Sequence, residues 1–289
     1  MKAKLGQKNS MAGFLLCLPA IAGLCVFFVV PFELCVYMSL TKSAVNPEFV
    51  GLANYMEILG SPAFQLAAGN TFRFIAVAVP LIMALSLAVA MLLHRGLRGH
   101  GFFRAVFIFP LVLPTASVVL FFQVVFTNGG LLDSLLSAIG VPVLDWMNSP
   151  LAFVSLVALY VWKNCGYNIV LFLAALNSIP REYREAAEID GAGGGARFFG
   201  VTLPLITPYS FFILVISIVN SFKAFREAYM LYGAYPNRSI YMLQHFMNNN
   251  FQNLNYIRLS AAAIMVFLVI FAMVFALYRL KNRMGGVEL

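Results

Sequence analysis

Residues 177–204 read NSIPREYREAAEIDGAGGGARFFGVTLP, a polar stretch set between apolar runs at 152–176 and 206–227. Pro180 stops the run before it, and Arg181 to Ile189 is made of Glu, Ala and Arg, which are good helix formers. A short helix is predicted there. Asp190-Gly191 is a turn signal, and Gly191 can take the positive φ that ends a helix and redirects the chain. Leu203 and Pro204 then open the next apolar helix, where proline is tolerated because first-turn amides have no intrahelical partner. Gly193, Gly194 and Gly195 together cost roughly 2–3 kcal/mol of helix propensity relative to alanine, which predicts a less helical second half. Ala186 and Ala187 are small enough to admit another protein closely, and Glu185 offers a carboxylate that an arginine could hold by two hydrogen bonds.

Around this stretch the chain has the composition of a membrane protein. Of its 289 residues 62% are hydrophobic and 10% charged, and the mean hydropathy is +0.87. Too little polar surface exists to cover a soluble domain of that size. Uncharged runs of about 20 residues are long enough to cross a ~30 Å hydrocarbon core as helix. Six spans are predicted, at 12–40, 71–93, 105–127, 152–176, 206–227 and 259–279, with short outer connections near 41–70, 128–151 and 228–258. The fold expected is all-α and integral to the membrane, one domain over 1–289 with 177–204 as a cytoplasmic loop. Pro19, Pro31 and Glu33 in the first run predict a kink or an interfacial turn.

Basic residues set the orientation. One side would receive Lys2, Lys4 and Lys8, then Arg95, Arg98 and Arg104, then Arg181, Arg184 and Arg197, then Arg279, Lys281 and Arg283. By the positive-inside rule both termini and the loop face the cytoplasm. The net charge of +8 is thus a topology signal, and its dispersal among short loops argues against nucleic-acid binding. Three lysines before an apolar run resemble a secretory signal. The run continues to about Leu40 without a small-residue cleavage site, so an uncleaved first span is expected. Cys17, Cys25, Cys35 and Cys165 all fall in apolar runs without metal-ligand spacing and are expected to act as small buried hydrophobes.

With the spacing on the page, a resemblance follows. Glu185-Ala186-Ala187, Gly191 four positions after the second alanine, and Val201-Thr202-Leu203-Pro204 resemble the EAA loop of permease subunits of ABC importers; Val201 stands where isoleucine is usual. Further segments resemble the carbohydrate-uptake branch, namely Phe49-Val50-Gly51-Leu52-Ala53-Asn54-Tyr55, Asn70-Thr71, Phe103-Arg104, Leu173 to Pro180, and Ser260-Ala261-Ala262. The resemblance implies a type I importer permease fold with both termini in the cytoplasm. It implies a sugar or oligosaccharide as cargo, a second homologous permease, an extracytoplasmic solute-binding protein, and a dimer of ATPase subunits that would hold the ATP and magnesium. Glu185, Ala186, Ala187, Asp190, Gly191, Ala192, Leu203 and Pro204 are the coupling residues it implies.

Polar groups inside spans usually face a bundle interior or a wet cavity. In the fourth span Tyr160, Lys163, Asn164 and Tyr167 fall at i, i+3, i+4 and i+7, one helical face, with Asn168 beside them. In the fifth, Asn220 and Lys223 share a face. Counted from the cytoplasmic ends, Asn164 and Asn220 lie about 18 and 21 Å deep. Amides and hydroxyls match sugar hydroxyls, and Tyr167 or Phe222 could stack on a pyranose; the same groups could equally join helices. Arg226 and Glu227 are expected near the outer interface as snorkelling residues or a mutual pair.

Catalysis finds no support. His94, His100 and His245 lack carboxylate or cysteine neighbours at ligand spacing, and no phosphate-cradling Gly-x-x-x-x-Gly-Lys-Ser/Thr is present. A secondary transporter or channel is the alternative transport reading, but Glu33 is the one acidic residue well inside a predicted span, which is poor material for a proton relay. A membrane-bound enzyme would need an acid, base or nucleophile constellation that the sequence does not offer.

Overall fold

The computed structural model describes residues 2–43, 45–94 and 99–283. Arg95 and Arg98 lie outside the described residues, as do the side chains of Lys2, Lys4, Lys8, Arg184, Lys281 and Arg283. In chain order the helices are α1 (Lys2–Leu24), α2 (Val30–Ser39), α3 (Ala53–Gly60), α4 (Pro62–His94), α5 (His100–Val112), α6 (Thr115–Phe126) and α7 (Leu131–Ser137). There follow α8 (Ala152–Asn177), α9 (Arg181–Ile189), α10 (Gly194–Arg197), α11 (Leu203–Ser221), α12 (Phe225–Tyr232), α13 (Leu243–Gln252) and α14 (Tyr256–Arg283). Among the described residues six segments are long and apolar enough to cross a membrane: Gly13–Ser39, Pro62–His94, Thr115–Ser137, Ala152–Asn177, Gly194–Tyr232 and Tyr256–Arg279.

The chain divides into two compact units, Met1–Ser61 with Met247–Val269, and Pro62–Phe246 with Ile270–Leu289. In the first, the expected irregularity of the first span is a π-helical turn at Cys25–Val29. Pro31 sits in the first turn of α2 and cannot donate to the helix before it, so the turn upstream widens. The Phe49 to Tyr55 segment is a structural clasp. Phe49 bridges Thr41, and Gly51 turns at φ +59. Asn54 Nδ2 donates to the Ser39 and Thr41 carbonyls at 2.9 and 2.8 Å. Ser260 Oγ accepts from Cys35 Sγ at 3.6 Å, and Ala261 and Ala262 beside it are fully buried, small enough for close helix packing.

The second unit is organised around α8. Phe74, Ala78 and Ile82 of α4 pack with Leu156, Val157 and Tyr160 of α8, and lower down Ala90 and Leu93 pack with Ile169, Phe172 and Leu176 and with Ile206 and Ile213 of α11. Where α5 crosses α8, only glycine fits. A Cβ on Gly166 would lie 2.1 Å from the Phe107 carbonyl oxygen.

Several expected boundaries are corrected. The third span is not continuous over 105–127: α5 ends at Val112, Leu113 is extended at φ −68, ψ 138, and α6 begins after Pro114. Proline clashes with an α-conformed residue before it, which excludes Leu113 from a helix. The second span starts at Pro62 instead of 71. Its added turns carry Asn70, whose Nδ2 donates to the Arg238 and Tyr241 carbonyls at 2.6 and 2.9 Å; just beyond them the Arg73 guanidinium lies 4.2 Å from the Phe153 ring centre. The outer connections hold short helices, α3, α7 and α13. The fifth span, expected over 206–227, passes through a 3-10 turn at Phe222–Ala224 into α12 and ends at Tyr232. The triglycine is divided between the turn and the helix that follows it. Gly193 is extended at ψ 165 and helix resumes at Gly194, running through a π turn at Phe198–Thr202 into α11. In a first turn the glycine penalty is offset by a long helix downstream that needs no separate nucleus.

Two outcomes follow. Gly166→Val forces α5 from α8, and overpacking of this kind costs about 1–3 kcal/mol; thermal unfolding in detergent is expected at a lower midpoint, whereas Gly69→Ala, with open space around it, should leave the midpoint in place. His245 in α13 is fully buried, its Nδ1 accepts the Met242 N–H at 3.2 Å, and desolvation lowers its pKa from 6.5 to about 4. The folded state therefore binds fewer protons than the unfolded between these values. Stability from the neutral ring is complete above pH 6.5 and is lost as pH falls toward 4. Amide exchange around 240–246 is expected to quicken over that window, and His245→Gln should remove the dependence.

Candidate functional site

The 177–204 loop is held at its base. His94 Nδ1 and Asn177 Oδ1 are 3.0 Å apart, joining the ends of α4 and α8. After Pro180, α9 runs to Ile189 as anticipated. Its end is a Schellman turn: the Ala192 N–H donates to the Ala187 carbonyl at 2.9 Å and the Gly191 N–H to the Glu188 carbonyl at 3.1 Å. Gly191 adopts φ +73 with open space around its Cα. Glycine is needed there for backbone conformation alone. Glu188 then pairs with Arg197 of α10, which ties the two arms of the loop together.

This arrangement leaves a distinctive surface. Glu185, Ala186, Asp190, Gly191 and Pro204 are exposed, while Ala187, Ala192 and Leu203 are half-buried. Ile189 is 86% exposed, with Tyr183 and Phe199 also outward. Behind it lies a cavity of about 740 Å³, lined by Met91 and His94 of α4, Leu176, Arg181, Glu185 and Glu188, and Arg197 and Val201. Exposed apolar groups beside carboxylates on a loop too charged for lipid are what a protein surface covers.

The second candidate lies within the membrane-spanning part. Tyr160, Asn164, Tyr167, Asn220 and Lys223 line one cavity of about 380 Å³, together with Ile82, Leu111, Asn168, Ser217 and Glu227. The similar depths reckoned for Asn164 and Asn220 thus bring them to the same space. Phe74 meets Tyr160 edge-on at 5.2 Å and fixes its ring. Asn168 serves as a strut, its Nδ2 donating to Ser217 Oγ at 2.9 Å. Phe222 is buried and does not line the cavity. Lys223 donates to Asn220 Oδ1 at 3.3 Å and remains exposed.

Lys163 departs from its helical neighbours. Its Nζ lies 2.5 Å from Glu227 Oε1 and 2.7 Å from Thr115 Oγ1, and the two ionic side chains are 11% and 9% exposed. Glu227 is therefore paired with a lysine of the fourth span and not with Arg226, contrary to the expected surface position. Sequence distance hid the pair, although a lysine on an apolar helix does announce that an acid must exist somewhere. Gly166 and Thr115 carried no such signal.

Comparison with known proteins now bears on the chain. Residues 76–286 match the family model described as "Binding-protein-dependent transport system inner membrane component". The chain is 30% identical over 275 residues to the trehalose/maltose transport system permease protein MalF of Thermococcus litoralis, covering 93% of each chain. It is 35% identical over 221 residues to the sn-glycerol-3-phosphate transport system permease protein UgpA of Yersinia enterocolitica, 75% of each. In fold it is similar to a chain of a bacterial alginate ABC transporter, solved in complex with alginate pentasaccharide-bound periplasmic protein. The TM-score is 0.87 at 19% identity, covering 98% of both chains.

The buried pair generates an outcome of its own. Removing one partner strands a charge in the interior and costs about 3–5 kcal/mol, while replacing both by apolar residues is often neutral. Glu227→Leu alone is expected to reduce folded, monodisperse protein after extraction, and Lys163→Met in addition should restore it. Equal losses in the single and double variants would mean that the pair is not coupled.

Proposed function

This chain belongs to the family of binding-protein-dependent transport system inner membrane components, and we propose that it is the permease subunit of an ABC importer for a sugar or oligosaccharide. On this reading it is a single transmembrane domain with both termini in the cytoplasm. It works with a second homologous permease, a dimer of ATPase subunits that hold ATP and magnesium, and an extracytoplasmic solute-binding protein. The relatives named for trehalose/maltose and for sn-glycerol-3-phosphate support the cargo class, and the periplasmic protein bound to the alginate transporter supports the delivery route.

The observation that carries the reading is the exposed face of α9, closed by the Gly191 turn and braced by Glu188 and Arg197. Glu185, Ala186, Ala187, Asp190, Gly191 and Ala192 form the contact with the ATPase, and Leu203-Pro204 begin the transmitting helix. From Gly194 to Ser221 the chain is helical throughout, with a π turn at Phe198–Thr202 and Pro208 inside α11, a path of about 40 Å. One end is the loop, and the other carries Asn220 beside the inner cavity. A displacement of α9 on ATP binding is thereby delivered to the cavity wall. ATP favours the state open to the binding protein, and hydrolysis restores the state open to the cytoplasm.

The test is coupling. Glu185→Lys removes the carboxylate offered to the ATPase, and Gly191→Asp forces a side chain into left-handed backbone, a strain of about 1–2 kcal/mol. In the reassembled transporter each is expected to reduce solute uptake to background and to abolish ATPase stimulation by loaded binding protein, with the binding protein's own affinity unchanged. Wild-type uptake by either variant would overturn the role.

A further inference from the structure

We infer that the solute handled at the inner cavity is anionic, a polyhydroxyl compound bearing a carboxylate or a phosphate, and that Lys223 is the group that selects it. The inference deepens the importer reading and rests on it for the direction and energy of transport.

Charges around one cavity are out of balance. Two ionic side chains line it, Lys223 and Glu227. Glu227 is already committed: Lys163 reaches it from behind at 2.5 Å, with Thr115 Oγ1 accepting a further Lys163 hydrogen. That pair is neutral as a unit. Lys223 has no such answer. Among the described residues it forms no ion pair, and its single hydrogen bond is to the neutral Asn220 Oδ1.

The other acids of this unit among the described residues are placed elsewhere. Asp133 accepts from the Gly129 and Leu144 N–H groups and from Trp146 Nε1, Asp145 accepts from the Met147 and Asn148 N–H groups, and Glu182, Glu185, Glu188 and Asp190 belong to the 177–204 loop. The cavity wall thus presents one uncompensated positive charge.

Its hydrogen-bonding character points the same way. Asn220 spends its oxygen on Lys223, which leaves its Nδ2 as a donor, and the ammonium retains two further N–H groups. Asn164 is held by its Nδ2 on the Tyr160 carbonyl at 2.8 Å, which leaves its oxygen to accept from a sugar hydroxyl. A cluster of donors around a cation is suited to an oxyanion, while the neighbouring amide oxygen and the Tyr167 ring suit a sugar body. A volume of about 380 Å³ is within the range of small-molecule sites. A cavity lined by one uncompensated charge raises the local concentration of the oppositely charged solute.

The experiment uses the complete transporter in proteoliposomes with its own binding protein, and three probes: tetragalacturonate, glycerol 3-phosphate and the neutral maltotetraose. ATP-dependent uptake of one of the anions in preference to maltotetraose is expected, and which anion enters separates the carboxylate from the phosphate. Lys223→Gln should lower that uptake about tenfold to hundredfold, the loss of one charge-assisted contact, and Lys223→Arg should restore most of it. Uptake of neither anion, or preferred uptake of maltotetraose unaffected by Lys223→Gln, would overturn the inference. So would equal loss in the Gln and Arg variants, which would make Lys223 a packing residue. Entry of an anion that needs Lys223 but not ATP would support the anion site and overturn the importer reading instead.

Discussion

An ammonium group placed among apolar helices must find a carboxylate, and the second unit of this protein is arranged around that requirement. Lys163 on α8, Glu227 on α12 and Thr115 on α6 meet at hydrogen-bond distance, so three segments far apart in sequence are joined at a single point. Neither charge could be retained alone at such burial. With the pair made, α8 can stand at the centre of the unit, and the 3-10 turn before α12 follows from bringing Glu227 inward. That turn also presents Lys223 to the cavity. The same bend therefore hides one charge and displays another.

Close packing on α8 is the second constraint. Gly166 lets the α5 backbone approach until its carbonyl fills the space a side chain would take, and Ser86 of α4 donates to the Cys165 carbonyl at 3.2 Å on a neighbouring turn. Without a hydrophobic drive between helices in lipid, such small residues and short polar contacts supply the adhesion. The break at Leu113–Pro114 belongs to this pattern, since it separates α5, seated on Gly166, from α6, which brings Thr115 to Lys163.

At the other end the chemistry is that of a surface built to be covered. The Schellman turn at Gly191 and the Glu188–Arg197 pair give the loop a defined shape, and the segment that leaves it is helical without a gap as far as Ser221. A continuous helical connection between an exposed loop and a cavity wall is the mechanical minimum for moving one by acting on the other. The interfering detail is the π turn at Phe198–Thr202, which rotates the face of α11 relative to α10 and so sets which side chains the cavity receives.

Much of this was legible in the chain. The number of spans follows from hydropathy, because an apolar segment of sufficient length satisfies its own backbone hydrogen bonds and needs no partner to be helical in lipid. The loop was equally local: Pro180, Gly191 and Pro204 act on their own backbone, and α9 came out with the expected bounds. Even the broken third span was encoded, in the rule for a residue preceding proline. The periodicity of Tyr160, Asn164 and Tyr167 correctly marked a face, but it included Lys163, whose long side chain leaves that face for Glu227. Which acid answers which base, which glycine meets a foreign carbonyl, and which lysine stays uncompensated were decided only in the tertiary structure. Each depends on atoms from segments tens of residues apart arriving within a few ångströms, and no property of a local stretch carries that distance.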